Sequence, residues 1–116
     1  MTESVIFHHP GCSTSRRVLD ALREAGHDPQ VVAYTKAGWT EAQLRDLFAA
    51  AGLTAAEALR RKAKEAAELD LLRPDVTEAD LLAAMVAHPV LVERPFVTTA
   101  KGTRLCRPVE RLAEIL

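Results

Sequence analysis

The chain has 116 residues, 48% of them hydrophobic and 27% charged, and its 15 basic and 16 acidic side chains leave a formal net charge of -1. That length houses one ordinary core rather than two, and without a basic surplus the chain is poorly suited to hold a nucleic-acid backbone. No apolar run approaches the roughly 20 residues a membrane-spanning helix needs, and Val5-Ile6-Phe7 is too short for the core of a signal peptide. Cys12 and Cys106 make neither a disulfide framework nor a zinc spacing. The expectation is one soluble, cytoplasmic, monomeric domain over residues 1–116 with reduced thiols, no bound metal, no nucleic acid and no membrane partner.

Ser4 to His8 reads as a short buried strand followed by a Pro10-Gly11 turn signal. Ser13 to Ala25 reads as a helix with Val18, Leu19 and Leu22 on one face, ended by Gly26. Val31 to Tyr34 reads as a second strand. Thr40 with Gln43, and Thr54 with Glu57, have the spacing of capping boxes. The first opens a helix that runs to Gly52; the second opens an alanine-, arginine- and lysine-rich helical run to about Leu69. Thr77 opens a further helix before His88-Pro89. The period then shortens, and Val90-Leu91-Val92 and Phe96 to Thr99 read as strands. A Lys101-Gly102 turn leads into a strand from Thr103 to Cys106, and Pro108 begins a last helix with Val109, Leu112, Ile115 and Leu116 on its apolar face. The opening βαβ demands a parallel pair and the closing hairpin an antiparallel one. The predicted class is therefore α/β: a mixed four-stranded sheet flanked by helices, with a helical insertion between a βαβ and a ββα half.

The segment richest in chemistry is His8-His9-Pro10-Gly11-Cys12-Ser13-Thr14-Ser15-Arg16-Arg17. Cys12 falls where the loop enters the first helix, facing unpaired backbone N–H groups and the positive end of the helix dipole, which favour thiolate over thiol. An ordinary cysteine is only about 3% ionised at pH 7, and two units of depression would raise that to roughly 75%. Arg16 and Arg17 add positive charge, and His8 would add more if protonated. Ser13, Thr14 and Ser15 supply hydroxyls beside the helix amides, a natural seat for a phosphate-like anion. The plain alternative is an inert cysteine before an ordinary Ser/Thr-capped helix. Spacing excludes two other chemistries: Ser15 stands where a dithiol oxidoreductase needs its second cysteine, and Val18 stands where a Cys-x5-Arg phosphatase loop needs arginine.

On these residues the chain resembles the glutaredoxin-coupled bacterial arsenate reductases. The resemblance is carried by His8-x-Pro10-x-Cys12-x-Thr14-Ser15-Arg16, Leu59-Arg60, Arg94-Pro95 and Gly102-x-Arg104-Leu105-Cys106-Arg107-Pro108, and it spans essentially the whole chain. It implies a thioredoxin-like fold and reduction of arsenate to arsenite. Cys12 would be the nucleophile, supported as thiolate by His8, Ser15 and Arg16, and Arg60, Arg94 and Arg107 would surround the oxyanion. Planar, permanently charged guanidinium groups suit such an anion. Pro95 would be a structural cis-proline, glutathione a co-substrate rather than a tightly bound cofactor, and glutaredoxin the partner that restores the thiol. His9 and Arg17 stand where many of these reductases have asparagine, and Arg61 beside Arg60 leaves that assignment open by one residue. Cys106 reads as structural. A second reading is a monothiol glutathione-linked oxidoreductase, with which Cys12-x-x-Ser15 is compatible; a third, a non-enzymatic RNA-polymerase-binding regulator of the same fold, fits badly, because those regulators usually carry Cys-x-x-Cys and lack the full arginine set.

Overall fold

In the computed structural model, which describes residues 4–116, the chain divides into two compact units: the segments up to Ala37 and from Arg94 to Leu116 form one, and Gly38–Glu93 the other. The first unit holds the sheet. Strand β1 (Ser4–His8) pairs in parallel with β2 (Gln30–Ala33) across helix α1 (Ser13–Glu24). On its other side β1 pairs antiparallel with β3 (Phe96–Thr99), which pairs antiparallel with β4 (Gly102–Leu105). The order β2-β1-β3-β4 is the mixed, thioredoxin-like sheet that the sequence predicts.

Alternation along β1 buries Ser4, Ile6 and His8 on one face. Ile6 packs there with Val18, Leu19 and Leu22 of α1, Val97 of β3, and Cys106, Leu112 and Ile115 from the C-terminal segment. Each such aliphatic side chain contributes about 1.5–3 kcal/mol when fully buried. His8, on the same face as Ile6, is thereby carried to the start of α1.

Three elements of this unit differ from expectation. Tyr34 does not end β2 but begins a one-turn helix, α2 (Tyr34–Ala37). The β3–β4 turn is Ala100-Lys101, with Thr99 opposite Gly102, so β4 starts one residue early. The last helix is a 3₁₀ helix, Val109–Ile115. Its apolar positions Val109, Leu112 and Ile115 recur every third residue, and in 3₁₀ geometry those three lie in register on one face. The Thr99 hydroxyl donates to Ile115 O at 2.6 Å and ties this segment to the sheet.

The second unit is helical: α3 (Glu41–Ala51), α4 (Ala55–Ala58), α5 (Lys64–Glu68) and α6 (Glu78–Ala87). Thr40, Thr54 and Thr77 each close a full capping box, and α6 packs against α3 and α4. The single helical run expected from Thr54 to Leu69 is broken. Leu59 turns extended and bridges Val92, Arg60 N–H donates to Leu91 O at 2.7 Å, and Glu93 N–H donates to Ala58 O at 2.8 Å. Pairing with a distant segment thus overrides local propensity. The strand expected at Val90–Val92 is instead a 3₁₀ turn, Pro89–Leu91, closed by Leu91 N–H to His88 O and Val92 N–H to Pro89 O. No helix among the described residues is long and apolar enough to cross a membrane.

Candidate active site

The loop after β1 is built by its own side chains. Cys12 N–H donates to His9 O at 3.0 Å, closing a turn with Pro10 and Gly11 at its centre. Gly11 N–H donates to His9 Nδ1 at 3.0 Å, and a Cβ on Gly11 would stand 3.0 Å from His9 Cε1, so any larger residue there would have to push the His9 ring back by a few tenths of an ångström. The His9 ring meets Tyr34 edge-on at 6.3 Å. Arg16, whose charge the resemblance assigns to the thiolate, donates from Nη1 to Pro10 O at 2.8 Å and clamps the loop from the first turn of α1.

Cys12 is the N-cap residue of α1, with extended φ/ψ of -98° and 120°, and Arg16 N–H donates to its carbonyl as the first helical bond. The side chain is nearly buried, and burial by itself pushes the thiol up. The Ser15 backbone N–H, the Arg94 guanidinium by hydrogen bonding and by charge, and the Arg107 guanidinium together reverse that and hold it below its ordinary value. Arg107 Nη1 lies 3.9 Å from Cys12 Sγ.

Arg94 and Arg107 reach the site through one backbone link. Pro95 O accepts from Cys106 N–H at 2.9 Å, extending the β3–β4 ladder by one step, and the two arginines are the residues just outside that pair. Both are followed by cis-prolines, at Arg94-Pro95 as the resemblance implies and at Arg107-Pro108, which the sequence reading does not foresee. Arg94 is buried, at 7% exposure.

His8 and Ser15 form the floor. His8 Nδ1 lies 2.6 Å from Ser15 Oγ, which also accepts from His9 N–H at 3.1 Å. Desolvation lowers the His8 pKa first, and the positive fields of His9, Arg23 and Arg16 add to it. His8 is therefore a neutral partner of Ser15 at pH 7, not the additional positive charge the sequence allows for.

Arg60 lies in the helical unit, where its Nη1 pairs with Glu93 Oε1 at 2.8 Å and both side chains are about four-fifths covered. Arg61 beside it is exposed. Cys106 lies in the core, where burial pushes its thiol up to about 12, and both cysteines are free. The role of His9 in shaping the loop escapes sequence reasoning, because no periodicity marks a side chain that bonds its own turn. Among the described residues no cluster of His, Cys, Asp and Glu could hold a metal. What the arrangement offers is an activated thiolate beside two guanidinium groups and a helix N-terminus, a setting for nucleophilic attack on a bound oxyanion.

Comparison with known proteins agrees with this chemistry. The sequence model of the ArsC family matches residues 7–115. An arsenate reductase of Synechocystis sp. is 54% identical over 118 aligned residues, covering 100% of this chain and 82% of that protein. An arsenate reductase of Escherichia coli K12 is 38% identical over 100% of this chain and 82% of its own length. The solved arsenate reductase of Vibrio cholerae superposes with a TM-score of 0.93 at 37% identity, covering 99% of this chain and 98% of that one.

Proposed function

This chain belongs to the ArsC family, and on that premise we propose that it reduces arsenate to arsenite with glutathione and glutaredoxin as the source of electrons. The observation that carries the reading is the Cys12 thiol at the N-terminus of α1, held below its ordinary pKa with the Arg107 guanidinium 3.9 Å from its sulfur.

Cys12 is the catalytic nucleophile. Its thiolate attacks arsenic, an S–As bond forms, and one arsenate oxygen leaves as water after taking up protons. Arg94 and Arg107 bind the remaining oxygens, and their fixed charges stabilise the negative charge concentrated in the transition state. The family resemblance adds Arg60 to the anion-binding set. A glutathione thiolate then attacks the Cys12 sulfur. An S–S bond forms, the S–As bond breaks, and its electron pair remains on arsenic, which leaves as arsenite. The two electrons come one from each thiol sulfur, now joined as a mixed disulfide. Glutaredoxin takes the glutathionyl group by thiol–disulfide exchange and frees the Cys12 thiolate. Ser15 at the position of a resolving cysteine is consistent with an external thiol. Both cysteines are free thiols, and a reaction fed by glutathione belongs in the reducing cytoplasm, where we place it.

The test is arsenite production from arsenate with glutathione, glutaredoxin and NADPH-coupled recycling, comparing wild type with Cys12→Ser. Turnover in the wild type that disappears in the variant is the expected result. A folded wild type that produces no arsenite with verified coupling enzymes overturns the reading.

A further inference from the structure

Beside the thiol, the first turn of α1 and the start of the C-terminal segment enclose an open recess of about 360 Å³, lined by Thr14, Arg17, Arg107, Pro108, Val109 and Glu110. Its volume is in the range of small-molecule sites, about 300–1,000 Å³. Its charges are mixed: two guanidinium groups and one carboxylate. Arg17 and Glu110 are exposed, and neither makes an ion pair among the described residues. Arg107 forms the wall shared with the reactive sulfur, to which its Nη1 lies 3.9 Å away. A ligand seated here therefore lies against the same guanidinium as the thiol.

We propose that this recess seats the charged end of glutathione, with a carboxylate on Arg17 and the Thr14 hydroxyl and the α-ammonium on Glu110, so that the tripeptide thiol is delivered to the Cys12 sulfur. The proposal rests on glutathione being the reductant. The charge pattern is what singles out this ligand. At neutral pH the γ-glutamyl end of glutathione carries one carboxylate and one ammonium on the same carbon, matching the Arg17 guanidinium and the Glu110 carboxylate on the wall, while Arg107 stays with the arsenic oxygens. An oxyanion alone would have no use for Glu110, whose charge repels it. Arg17 and Glu110, both exposed and on opposite sides of the charge pattern, are the residues that give this chain its grip.

The seat can be tested without arsenate. Glutathione disulfide glutathionylates Cys12 when the thiolate attacks one of its sulfurs: the Cys12–glutathione S–S bond forms, the original S–S bond breaks, and a glutathione thiolate leaves. The rate, followed by intact-protein mass spectrometry, is compared with that of neutral 2-hydroxyethyl disulfide and of dithiodipropionate, which is anionic but lacks the ammonium. Wild type should prefer glutathione disulfide over the neutral disulfide, and Arg17→Ala and Glu110→Gln should each reduce that preference about tenfold or more, the scale of losing a charge-assisted hydrogen bond. Glu110→Gln should at the same time react faster with dithiodipropionate, because a repelling charge has gone. If Glu110→Gln also speeds reaction with glutathione disulfide, only long-range attraction operates and the seat does not exist. An absent preference in the wild type, or one left intact by Arg17→Ala, overturns it too. A wild type that shows the preference but turns over no arsenate leaves the seat standing while the proposed activity fails.

Discussion

His8 Nδ1 and Ser15 Oγ stand 2.6 Å apart inside the protein, joining the last residue of β1 to the first turn of α1 directly behind the reactive thiol. The ring is neutral, so its tautomer decides where the serine proton goes. With the proton on Nδ1, His8 and the His9 N–H fill both lone pairs of Ser15 Oγ, and the hydroxyl hydrogen turns away from His8. With the proton on Nε2, the hydroxyl donates to His8 instead. Either way the bond fixes the turn that presents the Ser15 amide to Cys12.

Ser15→Ala removes the shared partner of His8 and the His9 N–H. Leaving buried polar groups unsatisfied costs about 1–3 kcal/mol, and urea melts should show that loss. The lowered His8 pKa gives stability a definite pH trend. Below the unfolded value near 6.5 the unfolded chain binds a proton that the folded chain refuses, so stability falls as the pH drops through and below that value. His8→Asn, lacking the titrating ring, should lose less between about pH 7.5 and about pH 5.5. A wild type that holds its urea midpoint better than His8→Asn over that interval contradicts neutral burial of His8.

The two thiols should separate cleanly under alkylation. Iodoacetamide should label Cys12 alone in the native protein, with a pH midpoint below that of an unperturbed cysteine. Cys106, buried and pushed up to about 12, should react only after denaturation. Peptide mapping at several pH values reads both outcomes.

Arg107→Ala removes a guanidinium that stands 3.9 Å from the sulfur. The Cys12 alkylation midpoint should move up, and kcat/KM for arsenate should fall about 10–100-fold, corresponding to roughly 1.5–3 kcal/mol for a charged hydrogen bond. Arg107→Lys should recover part of the acidity shift but less of the activity, since an ammonium keeps the charge and loses the planar fork. Equal activity in the lysine variant and the wild type would remove the argument for a guanidinium at this position.

Arg60 and Arg61 can be told apart in the same assay. Arg60 is held by Glu93 at 2.8 Å, whereas Arg61 is exposed. Arg60→Ala should lower arsenate turnover and also destabilise the protein by removing its partly buried ion pair with Glu93; Arg61→Ala should do neither. The reverse pattern would transfer the anion-binding role to Arg61.

The residues differ in how openly their sequence signals their place. The capping threonines, the β1 alternation and the Cys12 position before α1 are legible because each is a local rule expressed within a few residues. Thr54 to Leu69 is not, because what stops α4 is Leu59 finding Val92, a partner far along the chain. Val90-Leu91-Val92 is apolar enough for a strand, yet the turn beginning at Pro89 closes on itself. In the site, Arg94 and Arg107 are recognisable through a family pattern. Their common anchor, the Pro95–Cys106 hydrogen bond, is a matter of strand register and has no signature in either segment. Arg16 is noticed for its charge but serves the loop through a carbonyl, a distinction that only geometry draws.

Cys106 and Arg107 are consecutive residues with opposite surroundings: one sealed among Ile6, Val18, Leu22 and Ile115, the next with its guanidinium beside the Cys12 sulfur. The fit of aliphatic side chains that never meet a substrate therefore bears on where the Arg107 guanidinium stands beside the reactive sulfur. A close-packed interior yields little to added or missing methylenes and passes the displacement on. A change as bland as Leu112→Met is accordingly expected to register as a drift in the ionisation of Cys12, read from the pH midpoint of its alkylation.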